Sequence, residues 1–394
     1  MLSLAMPGES ESESDDDDDD DDDAAEQAAP TGLLRGLSLK ELDTGYDEES
    51  PPGGKRNRSE KPALKKQSSF DVTPTMTVEM GDLRIKPEGI VSSPRGKGNQ
   101  MKTNLNLRVN LENVKLLGKG ATSKVFLAKH ATTGQLYAVK ELMAMADEDT
   151  RHMAVNEIKI ANKHAAHAEH LVKTVDAYFH KDKICIAMEF ADAGSFEDVI
   201  NRSEGGVPPV PLGAITLQMM NGLQYLHREM HQVHRDLKPA NVMLTMKGVA
   251  KLSDFGISKQ LESTGAFAMT QVGTISYMAP ERFGGGMYDF VSDVWSVGII
   301  TLEAITGEHP YKAQNGNFIA ISMAVCNKPS PVPPEGTPEE IVEFVQQCLI
   351  KEHKGVDGRP GVRALTSGIW MKECSRTNAQ KETERYLKLQ KGLE

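Results

Sequence analysis

The sequence predicts an α+β chain with two unequal lobes: a small antiparallel β-sheet lobe holding one helix, and a larger, mainly α-helical lobe. Between residues 111 and 190, short runs rich in β-formers (VKLLG, KVFLAKH, LYAVKEL, ICIAMEF) are separated by turn signals, as in an antiparallel sheet. After Gly194 the periods become helical, most clearly in ITLQMMNGLQYLHREM and SDVWSVGIITLEAIT. One helical pattern interrupts the β-rich part, over residues 150–165, and contains neither Gly nor Pro.

Composition narrows the function classes. The chain has 394 residues, ordinary hydrophobic content at 39%, and no apolar run long enough to span a bilayer. The opening MLSLAMPGES has no basic region ahead of an apolar stretch, so a secretion signal is not expected. Four scattered cysteines, Cys185, Cys326, Cys348 and Cys374, show no CxxC spacing and read as reduced thiols. The expectation is a cytoplasmic or nuclear monomer.

The net charge of −11 divides unevenly along the chain. Residues 1–50 carry −16, residues 51–100 carry +5, and the remainder balances to zero. The larger part therefore offers no overall field for a nucleic acid or a membrane. Residues 1–75 are poor in aliphatic and aromatic side chains, which predicts a disordered tail, acidic and then basic. The acidic run over residues 15–23 is a solubilising segment, or a setting in which Ser10, Ser12 and Ser14 serve an acid-directed kinase. Residues 76–110 read as a linker, and residues 372–394 as a charged tail, either an amphipathic helix or a frayed end.

The chemistry sits in four strings. Leu117, Gly118, Lys119, Gly120, Ala121, Thr122, Ser123, Lys124 and Val125 lie between two strand-like runs, where glycines let a hairpin approach phosphates with its backbone N–H groups. On the next strand Ala138 precedes Lys140, and Glu157 in the following helical pattern is spaced to pair with that lysine. His234-Arg235-Asp236-Leu237-Lys238-Pro239-Ala240-Asn241 and Asp254-Phe255-Gly256 then follow in order, with strand-like residues between. Asn241 and Asp254 are oxygen ligands suited to Mg²⁺, Asp236 is an acceptor for a hydroxyl proton, and Lys238 is a cation for a γ-phosphate.

With these strings the chain resembles the eukaryotic protein kinases over residues 111–371, which implies the bilobal kinase fold and the use of ATP and Mg²⁺. The resemblance makes Met188 a gatekeeper and residues 189–191, with Glu189 and Ala191, the hinge that binds adenine. Val125, Ala138 and Met243 would sandwich the purine. Glu281 would pair with Arg359, and Asp293 would brace the catalytic loop through its N–H groups. Lys238 with Thr274 looks like the Ser/Thr-type arrangement.

Finer detail resembles the mitogen-activated protein kinase kinases. Gly273-Thr274-Ile275-Ser276-Tyr277-Met278-Ala279-Pro280-Glu281-Arg282 matches their GTxSYM(A/S)PER string. Gly81-Asp82-Leu83-Arg84-Ile85-Lys86-Pro87-Glu88-Gly89-Ile90 looks like the segment before the domain in plant-type members. The implied activity is transfer of phosphate to Thr and Tyr in the activation loop of a downstream MAP kinase, under an upstream MAP kinase kinase kinase. Another Ser/Thr kinase of the same broad group, or a kinase-fold scaffold, are the alternatives. Thr264 and Thr270, five residues between them, have the plant-type activation-loop spacing. Lys65-Lys66 ahead of Phe70-Asp71-Val72 resembles a docking peptide of the family, and reads equally as an import patch or a solvated linker. Two departures stand out. Ser123 replaces a third glycine, and Ala161 is small where the helix needs packing, at a cost of about 1–3 kcal/mol if a cavity remains.

Overall fold

The computed structural model describes residues 70–72, 78–80, 83–86, 89–92, 107–120, 123–143, 168–181, 183–255, 275–285, 289–314 and 317–393. The chain divides into two units, Met1–Leu64 and Lys65–Glu394, and all described residues lie in the second.

Regular backbone begins well before residue 111. Strands β1 (Phe70–Val72), β2 (Val78–Met80), β3 (Leu83–Lys86) and β4 (Gly89–Ser92) pair antiparallel in sequence order, a four-stranded meander. A single helical turn, α1 (Leu107–Asn110), leads into the main sheet of β5 (Leu111–Lys119), β6 (Ser123–His130), β7 (Leu136–Met143), β8 (Thr174–His180) and β9 (Lys183–Glu189). Its order is β5-β6-β7-β9-β8, with every neighbour antiparallel. Residues 150–165, read as the lobe's helix, lie outside the described residues.

Alternation along these strands sorts side chains to two faces. Val125, Ala138, Lys140, Ile186 and Met188 are cross-strand partners on one face. Ala128, Tyr137, Val139, Tyr178, Cys185 and Ala187 form a separate small core on the other, closed by Leu107 of α1. Strand β8 also touches α1, β3 and β4. A sheet covered on both faces explains why β8 is buried almost throughout, Asp176 included.

The larger lobe begins after the short β10 (Gly194–Ser195), which pairs with β11 (Val242–Leu244), itself paired with β12 (Ala250–Leu252). Between them run α2 (Phe196–Arg202), whose N-terminus is closed by a Ser195–Asp198 capping box, and α3 (Pro209–Arg228), which starts on a proline. A short α4 (Pro280–Phe283) precedes α5 (Phe290–Thr306). Helix α5 is capped by Asp289 and ended by Gly307 in the left-handed region at φ 73°. It carries the centre of the large core: Val294, Trp295, Val297, Ile299 and Ile300 are fully buried. Helices α6 (Phe318–Asn327), α7 (Glu339–Cys348), α8 (Val362–Thr366), α9 (Ile369–Arg376) and α10 (Ala379–Gln390) complete the lobe. The charged tail is thus an amphipathic helix, not a frayed end, and it packs on α3. Among the described residues no helix is long and apolar enough to cross a membrane.

Candidate active site

Alternation on β7 and pairing with β6 and β9 bring Val125, Ala138, Lys140 and Met188 to one face of the small sheet. Met243 comes from β11. The glycine hairpin closes tightly at its tip, where Gly120 N–H donates to Ser123 C=O at 2.8 Å. A Cβ on Gly120 would stand 3.1 Å from Ser123 Oγ, so the turn accommodates the serine because Gly120 carries no side chain. Lys119 and Lys124 are Cα partners across this tip, both exposed. Like charges set opposite one another cost energy, and a polyphosphate beneath the hairpin would offset that cost. Leu117 is exposed and Gly118 has open space around its Cα.

Lys140 is buried, 5% exposed, and its Nζ donates to Asp254 Oδ1. Burial by itself would raise the Asp254 carboxyl, but the Lys140 ammonium, helped by Lys238, holds it below the usual carboxylate range. The Asp254 side chain keeps 35% of its surface open, so it is reachable. Asp254 adopts φ 57° and Arg235 φ 70°, both in the region non-glycine residues avoid. This strain falls on the two loops that carry the chemistry.

Those loops are held from below by α5. Asp293, 2% exposed, accepts the N–H of His234 at 2.8 Å and of Arg235 at 3.0 Å, and His227 Nε2 lies 2.7 Å away. His234 is fully buried, and that burial pulls its imidazole below the ordinary range. Asp236 is then fixed from the other side. Lys238 Nζ donates to its two oxygens at 3.1 and 3.3 Å, and Asn241 Nδ2 donates to Oδ2 at 3.0 Å and to its backbone carbonyl at 2.7 Å.

With its amide nitrogen donating to Asp236, Asn241 still offers its Oδ1 as an acceptor, and Asp254 offers a carboxylate. Two hard oxygen donors suit a divalent ion that keeps waters and phosphate oxygens as its other ligands. The residues fit Mg²⁺ on that ground. The arrangement supplies a positioned carboxylate acceptor, two cations and two oxygen donors suited to a metal ion.

On the far side of Asp236, Tyr277 Oη donates to Glu303 at 2.6 Å and its carbonyl accepts Ser296 Oγ at 2.9 Å. A small pocket lies between this string and the catalytic loop, lined by Asp236, Leu237, Met278 and Ala279 among others. Glu189 is fastened by Lys251 at 2.9 Å and by Lys173 N–H at 2.7 Å, and the carboxylate of Asp192, just beyond it, accepts Met246 N–H at 2.6 Å. Sequence reasoning passed over these supports because no local spacing links Tyr277 to Glu303 or Glu189 to Lys251. Ala121, Thr122, Glu157, Ala161, Thr264, Thr270 and Thr274 lie outside the described residues.

Comparison with known proteins agrees with this geometry. Residues 111–371 match the protein kinase domain. The chain is 34% identical over 303 residues to mitogen-activated protein kinase kinase 1 of Arabidopsis thaliana, covering 74% of this chain and 84% of that one. It is 34% identical over 294 residues to mitogen-activated protein kinase kinase SIPKK of Nicotiana tabacum, covering 72% and 82%. It is 36% identical over 247 residues to mitogen-activated protein kinase kinase 1c of Physcomitrium patens, covering 61% and 71%.

Proposed function

Since this chain belongs to the mitogen-activated protein kinase kinases, we propose that it transfers the γ-phosphate of Mg²⁺-bound ATP to both a Thr and a Tyr in the activation loop of a downstream MAP kinase. The observation that carries the chemistry is Asp236, held by Lys238 and Asn241 beside an ionised Asp254. Asp236 orients the acceptor hydroxyl and takes its proton as the new P–O bond forms and the bond to the ADP oxygen breaks. Lys238 neutralises charge on the transferring group, and Lys140 orients the other phosphates. Asn241 and Asp254 would hold Mg²⁺, which would supply further neutralisation of the phosphate oxygens. Positioning and electrostatics do most of the work, since little covalent help is needed.

Specificity for one downstream kinase calls for contacts outside the site. We assign that role to the basic residues Lys65 and Lys66 with Phe70-Asp71-Val72. In the structure Phe70–Val72 is β1, at the outer end of the meander's strand order. The deciding experiment incubates the pure enzyme, activated by an upstream kinase, with a panel of catalytically dead MAP kinases and maps the phosphorylated residues. Phosphate on the activation-loop Thr and Tyr of one or two members supports the proposal. Phosphate confined to Ser and Thr elsewhere would overturn it.

A further inference from the structure

We propose that the C-terminal helix α10 is a positioning element of the nucleotide site, fastening the hinge exit, helix α2 and the β11–β12 hairpin to one another from behind. The proposal rests on the site's being the ATP site and concerns residues that touch no nucleotide.

The helix is seated by a narrow stripe. Ala379, Thr383 and Leu387, spaced by four, are buried against the large lobe, where α10 packs on α3 and α2. From that seat it reaches three places. At its start, Gln380 Nε2 donates to Lys247 C=O at 3.1 Å. The next residue, Gly248, has φ 72°, and a Cβ there would stand 2.2 Å from the Gln380 carbonyl oxygen and 2.9 Å from Glu384 N. Only glycine permits that approach. Near its end, Tyr386 Oη lies 2.6 Å from Ser203 Oγ, and Gln390 Nε2 donates to the same hydroxyl at 2.8 Å. Ser203 is the C-cap of α2, the helix that opens directly after the hinge. Last, Lys391 Nζ donates to the carbonyl of Asp192 at 2.6 Å.

These three places are already linked to the site. The turn bearing Lys247 and Gly248 joins β11 to β12, and the hairpin's other end carries Asn241 and Asp254. Strands of three residues put that end about 10 Å from the turn. Buried Gln218 of α3 clamps the turn, donating to Gly248 C=O at 3.0 Å and accepting Ala250 N–H at 2.9 Å. Asp192 receives Lys391 on its carbonyl while its carboxylate takes Met246 N–H from the same hairpin turn. A tilt of α10 therefore moves the hinge exit and the metal-ligand hairpin together. A helix that only covered α3 would not need polar ties at both ends.

The test uses the full chain carrying Tyr386→Phe, Gln390→Ala and Lys391→Met together, a second variant with Lys391→Arg alone, and a chain ending at Asn378. Turnover of a dead MAP kinase is measured against ATP and against Mg²⁺, below the onset of thermal unfolding of each protein. For the triple variant, KM for ATP and the half-activating Mg²⁺ concentration should each rise about threefold or more. KM for the protein substrate should hold, and Lys391→Arg should behave as the parent. The truncated chain should show the larger shift; if it does not fold, the triple variant decides alone. A lowered melting temperature with unchanged ATP and Mg²⁺ dependence would overturn the proposal. So would a loss confined to activation by the upstream kinase, which would make the helix a docking surface. Failure of the parent chain to bind ATP would instead strike the reading of the site itself.

Discussion

Arg359 grips Glu281 with both terminal nitrogens, at 2.8 and 3.1 Å, and both side chains are closed to solvent, 0% and 3% exposed. The guanidinium is otherwise spent on the carbonyls of Ile350 and Val291 and lies 5.1 Å over the ring of Trp295. Burial would raise the Glu281 carboxyl, yet Arg359 and Ser292 hold it below its usual range. This pair fixes the end of the activation segment to the floor of the large lobe.

Arg359→Met should therefore be costly out of proportion to one ion pair. It strands a buried carboxylate and two carbonyls, a loss of about 3–5 kcal/mol. Thermal unfolding should shift down by on the order of 10 °C. A shift of a degree or two would mean the pair is not the anchor that its burial implies.

Asp236→Asn should leave ATP binding near normal and lower phosphate transfer by about 100-fold or more, because the amide cannot take the hydroxyl proton. Lys140→Met keeps the apolar stem and should also abolish transfer. It should additionally raise the Asp254 carboxyl, which loses its nearest cation. Single-turnover transfer beside equilibrium nucleotide binding separates the two effects, and near-normal turnover in either variant would remove the role given to that residue.

Much of the site was legible because its motifs are contiguous: Asp236, Lys238 and Asn241 lie within six residues, so their spacing survives without any fold. The Glu281–Arg359 and Asp293 anchors were legible only through family resemblance, since nothing local links residues so far apart in sequence. Strand β8 escaped notice because both its faces are covered, which erases the alternation that marks a half-buried strand. The meander escaped because three- and four-residue strands in a polar stretch give too short a window. Helix α10 was ambiguous for another reason. Two of its three buried positions are Ala379 and Thr383, whose side chains carry little of the apolar signal that marks a seated helix.

Activation should depend on Thr264 and Thr270. A phosphate on Thr270 brings about −1.5 to −2 charges, and Arg235, beside the catalytic Asp236, is the cation the sequence offers for a bidentate pair. Thr270→Ala should block activation by an upstream kinase, and Thr264→Asp with Thr270→Asp should raise basal turnover. Activity is to be followed against phosphate stoichiometry at each threonine. Full activation of the Thr264→Ala/Thr270→Ala protein would end the assignment.

Glu303 gives the chain a pH dependence with a definite sign. Burial lifts its carboxyl from 4.5 to about 7; the hydrogen bond from Tyr277 opposes the rise and the charge of Glu197 adds to it. The folded state thus favours the protonated form. Its contribution to stability is full below about pH 4.5 and is lost as pH climbs through about 7. His309, whose ring stacks edge-on to Tyr277, is pulled by burial down to about 4, so it costs stability in the opposite direction, as pH falls below the ordinary imidazole range. Glu303→Gln keeps an acceptor for the Tyr277 hydroxyl and removes only the carboxyl titration. The difference between parent and variant therefore cancels His309. Urea midpoints measured from pH 5 to pH 8.5 should show the two proteins converging at the acid end. Above pH 7.5 the variant should be the more stable, by on the order of 1–3 kcal/mol. A pH-independent difference would mean that Glu303 is ionised throughout, and that the anchor of the Tyr277 string is an ordinary carboxylate bond.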